Sequence, residues 1–186
     1  MTALFNHHPV TANALGAAIF ALCAVSATAQ TTAVAAPVVP VAIKAADNER
    51  VDFIWRAVGT QNYRCSAKTA GGFEWAFTGP EADLFNAKGD KVGSHGAGPH
   101  WAAPDGSKVT GTVKARSAGS TAADIPWLLL ATQSAGNPGK MAKVSSIQRI
   151  NTQSGVAPNS GCDSTADEGK TVKQAYVSDY VFLTTN

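Results

Sequence analysis

Soft and imidazole side chains are scarce in this chain, and their scarcity excludes several kinds of site. Its three cysteines, at 23, 65 and 162, include no C-x-x-C pair, so a thiol metal site or a dithiol redox motif is not expected. No block of like charge is present either. The formal net charge is +2 and the Lys and Arg residues are scattered, which leaves no basic stripe with interleaved aromatics for nucleic acid. Beyond residue 29 no apolar run approaches the roughly 20 residues of a membrane span, and 125–131 is far too short. A G-x-G-x-x-G between strand and helix is missing, so no dinucleotide cofactor is implied, and no cofactor of any kind is expected. No stretch keeps a 3.6-residue apolar period for long, which argues against a helical domain.

What is present begins with an export signal. Residues 14–27 (ALGAAIFALCAVSA) form an apolar core of signal-peptide length, and Ala27-Thr28-Ala29 sets small residues at −3 and −1 before Gln30. Residues 1–29 therefore read as a signal peptide, 30–46 as a flexible Ala/Pro/Val-rich spacer, and 47–186 as one domain able to bury a single core. The expected location is periplasmic or secreted. Cys23 leaves with the signal, and Leu22 before it is not the small residue that a lipid attachment site needs. The remaining Cys65 and Cys162 most simply form one disulfide in an oxidising compartment.

Past residue 47, short apolar runs alternate with turn signals. Runs at 51–57, 61–66, 73–78, 82–86, 91–95, 109–115, 125–132, 146–151 and 175–184 read as strands, with Gly59 as a break between the first and the second. In the last run Tyr176, Tyr180 and Phe182 share one face, and Val177, Val181 and Leu183 the other. About eight or more short strands at this spacing predict an all-β domain, a sandwich first or a barrel-like closure second.

Residues 89–111 (GDKVGSHGAGPHWAAPDGSKVTG) hold the densest chemistry. His95 and His100 are the only histidines after the signal and could ligate a metal with Asp90 or Asp105, although i,i+5 is no recognised ligand spacing. His95 with Asp105 or Glu81 could form an acid–base pair, and Ser107 supplies a hydroxyl. Against that, no G-x-S-x-G surrounds Ser107, and Asp105-Gly106-Ser107 is also a plain turn signal. A third reading needs no chemistry: Trp101 offers an indole face with His95, His100 and Asp105 as hydrogen-bonding groups around it. A purely structural reading has Trp101 plugging the end of the fold and His95 bonded to a backbone carbonyl. Arg149, in an otherwise apolar strand, would reach solvent or pair with a carboxylate such as Asp179, anion binding being its functional alternative.

Several short motifs occur in a telling order. They are Gly59-x-Gln61-x-Tyr63-x-Cys65, Leu84 with Gly89, Val92-Gly93-x-His95, Gly98-Pro99-x-Trp101 and Asp105-Gly106-Ser107. Then come residues 125–130 (IPWLLL), Ile147-x-Arg149-Ile150-Asn151-Thr152, Gly155-x-Ala157-Pro158, Cys162 and Tyr176-x-x-x-Tyr180-x-Phe182. Together, over roughly 47–183, they resemble a family of secreted bacterial and fungal proteins, the domain of unknown function family 3455. The resemblance implies an exported single domain and brings no activity or catalytic residues. Some fungal relatives carry the name malate dehydrogenase, which the missing dinucleotide motif does not support. Two positions depart from the family pattern: Gly96 stands where an aromatic is expected, and His100 where a small hydroxyl residue is usual.

The function expected from these features is a non-catalytic binding or interaction module. Its partner would be a small polar ligand, an envelope glycan or an envelope protein. A hydrolase-type enzyme using His95 with Asp105, or a metal-binding protein using His95 and His100, are the alternatives.

Overall fold

Two-residue alternation, repeated along long strands, builds this domain. The computed structural model describes residues 1–4, 6 and 34–186, so the expected signal peptide and its cleavage point lie outside the described residues. Eight strands follow one another: β1 (Glu49–Ala67), β2 (Phe73–Phe85), β3 (Lys91–Gly96), β4 (His100–Ala102), β5 (Lys108–Ser117), β6 (Trp127–Ser134), β7 (Val144–Ser154) and β8 (Thr171–Thr185). Each pairs antiparallel with the next, and β8 returns to β1, closing a barrel in chain order. Among the described residues no helix is long and apolar enough to cross a membrane.

The all-β expectation holds, and of its two forms the barrel is the one adopted. The reason lies in β1, whose 19 residues pair with β8 along most of their length and with β2 from Arg56 onward. A strand so long, bonded on both edges, bends the sheet round on itself and leaves no free edge. Gly59 is not a break, since β1 runs through it. It lies mid-strand where a Cβ would come within 2.1 Å of the Glu81 carbonyl oxygen, so glycine lets β1 and β2 approach. The runs at 73–78 and 82–86 likewise fuse into β2, with a register irregularity at Asn62/Tyr63 of β1 opposite Gly79.

Alternation sorts the side chains into two apolar groups. Inside lie Phe53, Trp55, Ala57, Leu84, Trp101, Val109, Leu128, Leu130, Ile147, Tyr176, Tyr180 and Phe182. A second group, Val51, Ile150, Val181 and Leu183, packs on the outer wall. Val51 and Phe53 should share a face, but the bulge between them on the β8 ladder sends Val51 outward beside Leu183 and Phe53 inward beside Phe182.

The outer group is covered by the segment expected to be a loose spacer. Ile43, in a 3-10 turn at Val41–Ile43, is fully buried there, with Val39 and Ala45 against the same cluster. Gln148 Nε2 donates to the Ile43 carbonyl at 2.7 Å. The correction has a simple cause: β1, β7 and β8 present an apolar outer stripe, and burying it against Val39 and Ile43 offsets the entropy of ordering the segment.

One end of the barrel is closed. Phe53 stacks on Phe182 at 4.4 Å and lies 4.6 Å from Trp55, and fully buried Met141 joins them from the β6–β7 loop. The Lys140 ammonium caps the Phe53 ring at 4.0 Å. At the opposite end the expected disulfide, Cys65–Cys162, ties β1 to the long β7–β8 loop.

Candidate functional site

From this second end a cavity of about 490 Å³ runs into the barrel, lined from all eight strands. Its walls are mostly apolar, with Trp101, Val113, Ile125, Leu128 and Leu130 within and Phe77 and Pro99 at the mouth. A small set of polar groups interrupts them: Gln61, Tyr63, His95, Arg149 and Tyr180, with Arg116 exposed at the rim. An eight-stranded barrel is just wide enough for side chains to fill it or for one small ligand. Gly111 on β5 helps make the space, since a Cβ there would sit 2.7 Å from the Trp101 ring.

Trp101 is 1 % and His95 4 % exposed, and their rings stack with centroids 4.5 Å apart. Tyr180 meets both edge-on, at 5.3 and 4.9 Å. His95 Nδ1 lies 2.7 Å from the His100 carbonyl oxygen, an acceptor only, so Nδ1 carries the hydrogen. Burial drives the His95 pKa down to about 3, and the Arg149 charge pushes the same way against that hydrogen bond. His95 is thus a neutral imidazole that lines the cavity.

The other candidates from residues 89–111 lie elsewhere. His100 pairs with Gly96 across the β3–β4 ladder and, one residue from inward-facing Trp101, faces outward. Its Nδ1 bonds the Ala97 carbonyl at 2.8 Å, and its ring lies over Gly96, where a Cβ would come within 2.6 Å. His95 and His100 therefore point to opposite faces of the wall and cannot share a metal. Among the described residues no group of three or more His, Cys, Asp or Glu is placed to hold one.

Asp105 sits in the β4–β5 turn at the closed end. It accepts from Ser107 N at 2.9 Å, Ser107 Oγ at 2.6 Å and Lys140 N at 2.8 Å. Those bonds, that from the Ser107 hydroxyl first, hold its carboxyl below the usual range. Ser107 Oγ in turn accepts from Met141 N at 3.0 Å. Asp105 and Ser107 latch the β6–β7 loop over the closed end, and the acid–base pair of His95 with Asp105 is not assembled.

Arg149 also departs from expectation. It reaches neither solvent alone nor Asp179, which accepts from Asn151 Nδ2 at 2.9 Å. On β7 it lies in phase with inward Ile147, half-buried, and donates through Nε and Nη2 to the Pro126 carbonyl at 3.1 and 2.8 Å. Its charge bears on Tyr63, Tyr176, Tyr180 and His95 together. Burial raises the three tyrosine pKa values, so each is a neutral hydroxyl. Tyr63 Oη donates to the Gly155 carbonyl at 2.7 Å. Tyr176 and Tyr180 lie beside each other, with Gln61 against Tyr176 and with Ser178 and Arg149 against Tyr180, yet neither hydroxyl, nor Gln61 Nε2, nor Trp101 Nε1, makes a hydrogen bond of good geometry.

The family model described as Protein of unknown function (DUF3455) matches residues 45–184. The chain belongs to this family. No curated protein and no solved structure matches it. Of the residues that carried the DUF3455 resemblance, Gln61, Tyr63, His95, Trp101, Arg149 and Tyr180 meet at the cavity. Gln61, Tyr63 and Tyr180 are not among the site residues expected from sequence, and Arg149 enters there only as an anion-binding alternative. The available signal was polar side chains at inward positions of alternating strands: Gln61 and Tyr63 in phase with Ala57, Arg149 with Ile147.

Proposed function

We propose that this domain is a binding module that takes one small molecule into the barrel interior through the disulfide-pinned end. The observation that carries the reading is the cavity itself, apolar-walled with a few convergent polar groups, in the size range of small-ligand sites. Gln61 Nε2 and the Tyr180 hydroxyl, both almost wholly buried on its wall and without a well-formed protein hydrogen bond, supply hydrogen-bonding capacity for a guest. Entry through one end suits a small ligand or a single terminal group better than a long glycan laid along a surface. No reaction is part of this reading. The protein is exported in it, and the disulfide supports an oxidising compartment.

A neutral fluorescent probe, N-phenyl-1-naphthylamine, tests the reading in wild type and in Val113→Trp, which fills the cavity from β5. Saturable binding that weakens at least tenfold in the variant, with the β spectrum by circular dichroism kept, is expected. Equal binding by both proteins would place the probe elsewhere and sink the cavity as the site.

A further inference from the structure

We infer that the guest is a small organic monoanion, a carboxylate with an apolar body, and that Arg149 receives the carboxylate; this rests on the binding reading above. The cavity wall carries two guanidinium groups, Arg149 within and Arg116 at the rim, and no Asp or Glu. Among the described residues the ion pairs are Lys91–Asp83, Lys170–Asp167 and Lys173–Glu81, and Arg149 is in none of them. A half-buried cation met only by a peptide carbonyl and a neutral tyrosine is incompletely compensated, and an anionic guest supplies the missing charge.

The geometry narrows the anion. Nε and one hydrogen of Nη2 of Arg149 already point at the Pro126 carbonyl, which leaves the Nη1–Nη2 end of the fork for two parallel bonds to a planar carboxylate. Gln61 Nε2 and the Tyr180 hydroxyl, buried on the same wall and without a well-formed protein hydrogen bond, are further donors. One interior charge flanked by neutral donors matches a monoanion; a phosphate dianion would leave a charge unanswered. Beyond Arg149 the apolar wall of Val113, Ile125, Leu128 and Leu130 fits a hydrocarbon body. Arg116 at the rim draws anions toward the mouth.

Calorimetric titration of the oxidised protein with octanoate, octanamide and inorganic phosphate tests the assignment. Octanoate is expected to bind at least tenfold more tightly than octanamide, with no saturation by phosphate in the same range. Arg149→Met removes the preference for octanoate while octanamide binding stays, and Arg149→Lys retains some of it. Equal affinity for octanoate and octanamide, an unchanged ratio in Arg149→Met, or tighter phosphate than octanoate overturns the inference. Should Arg149→Met fail to fold, the wild type decides by salt: octanoate binding weakens as sodium chloride rises and octanamide binding does not. The same salt response for both would overturn it. If N-phenyl-1-naphthylamine and octanamide enter but octanoate has no advantage, only the anion assignment falls; if no probe enters, the binding reading falls with it.

Discussion

The imidazole of His95 lies flat on the indole of Trp101, their planes 14° from parallel, with the Nδ1 hydrogen spent on the His100 carbonyl. This contact turns two residues that look reactive in the sequence into one rigid wall of the cavity. It also makes His95 a sensor of acid. The folded protein holds its pKa near 3 against 6.5 when free, because burial penalises the charged ring.

The sign follows from linkage. The unfolded chain takes up a proton at His95 as pH falls through about 6.5 and the folded protein does not, so stability is full above that pH and falls below it. The slope is about 1.4 kcal/mol per pH unit until the folded group titrates near 3. Carboxylates held low by hydrogen bonds, Asp105 by Ser107 and Asp167 by Lys170, add their own loss only below the usual carboxylate range. Urea unfolding should therefore lose stability from pH 7 to 5 in wild type, the slope approaching this value toward pH 5, and His95→Asn should lose that dependence. A wild-type curve flat over that interval would contradict the buried neutral imidazole.

Gly96 and His100 form a cross-strand pair in which the ring of one occupies the space a side chain of the other would need. The family resemblance expects the reverse, an aromatic first and a small hydroxyl second. Gly96→Tyr alone should overpack against the imidazole and destabilise by about 1–3 kcal/mol, while His100→Ser alone should have a small effect. The double variant should recover most of the loss, giving a coupling of about 0.5–3 kcal/mol in a denaturation cycle. Additive effects would mean the two positions do not share that volume.

The outer strap invites a sharper test of domain limits. Ile43 is fully buried against Val181, Leu183, Ile150 and Val51, so Ile43→Ala removes a core side chain although it precedes the first strand. A loss of about 2–5 kcal/mol is expected from chemical unfolding. A flexible spacer would give almost none.

How much of this was legible beforehand follows from which relations are local. Alternation along 175–184 separates Tyr180 and Phe182 from Val181 and Leu183, and the barrel keeps that separation. The three-residue strand His100–Ala102 is too short to show a period, and without it the outward turn of His100 is invisible. Gly59 and Gly79 resemble breaks because a glycine that permits close approach reads like one that ends a strand. Asp105 stands ten residues from His95 in sequence, yet the β3–β4 hairpin returns the chain to the closed end before the turn that holds it. Arg149 and Tyr180 are cross-strand partners on β7 and β8, and closure of β8 on β1 brings Gln61, far away in the chain, beside them.

Closure also explains the place of the disulfide. Cys162 anchors the β7–β8 loop beside Lys170, whose carbonyl accepts from Cys65 N at 2.8 Å, and beside Ser160, whose carbonyl accepts from Trp75 Nε1 at 3.0 Å. The start of the same loop gives Gly155, the acceptor for Tyr63 at the cavity wall. Two effects should follow from the double change of Cys65 and Cys162 to serine. Spanning 97 residues, the bridge constrains the unfolded chain by up to about 4.7 kcal/mol, so the urea midpoint should fall steeply. The cavity should also loosen at Tyr63, and N-phenyl-1-naphthylamine should bind more weakly to protein that is still folded. Were stability to fall while probe affinity held, the loop would be a stabilising tie with no role in shaping the mouth, because the two readouts separate the unfolded chain from the native wall.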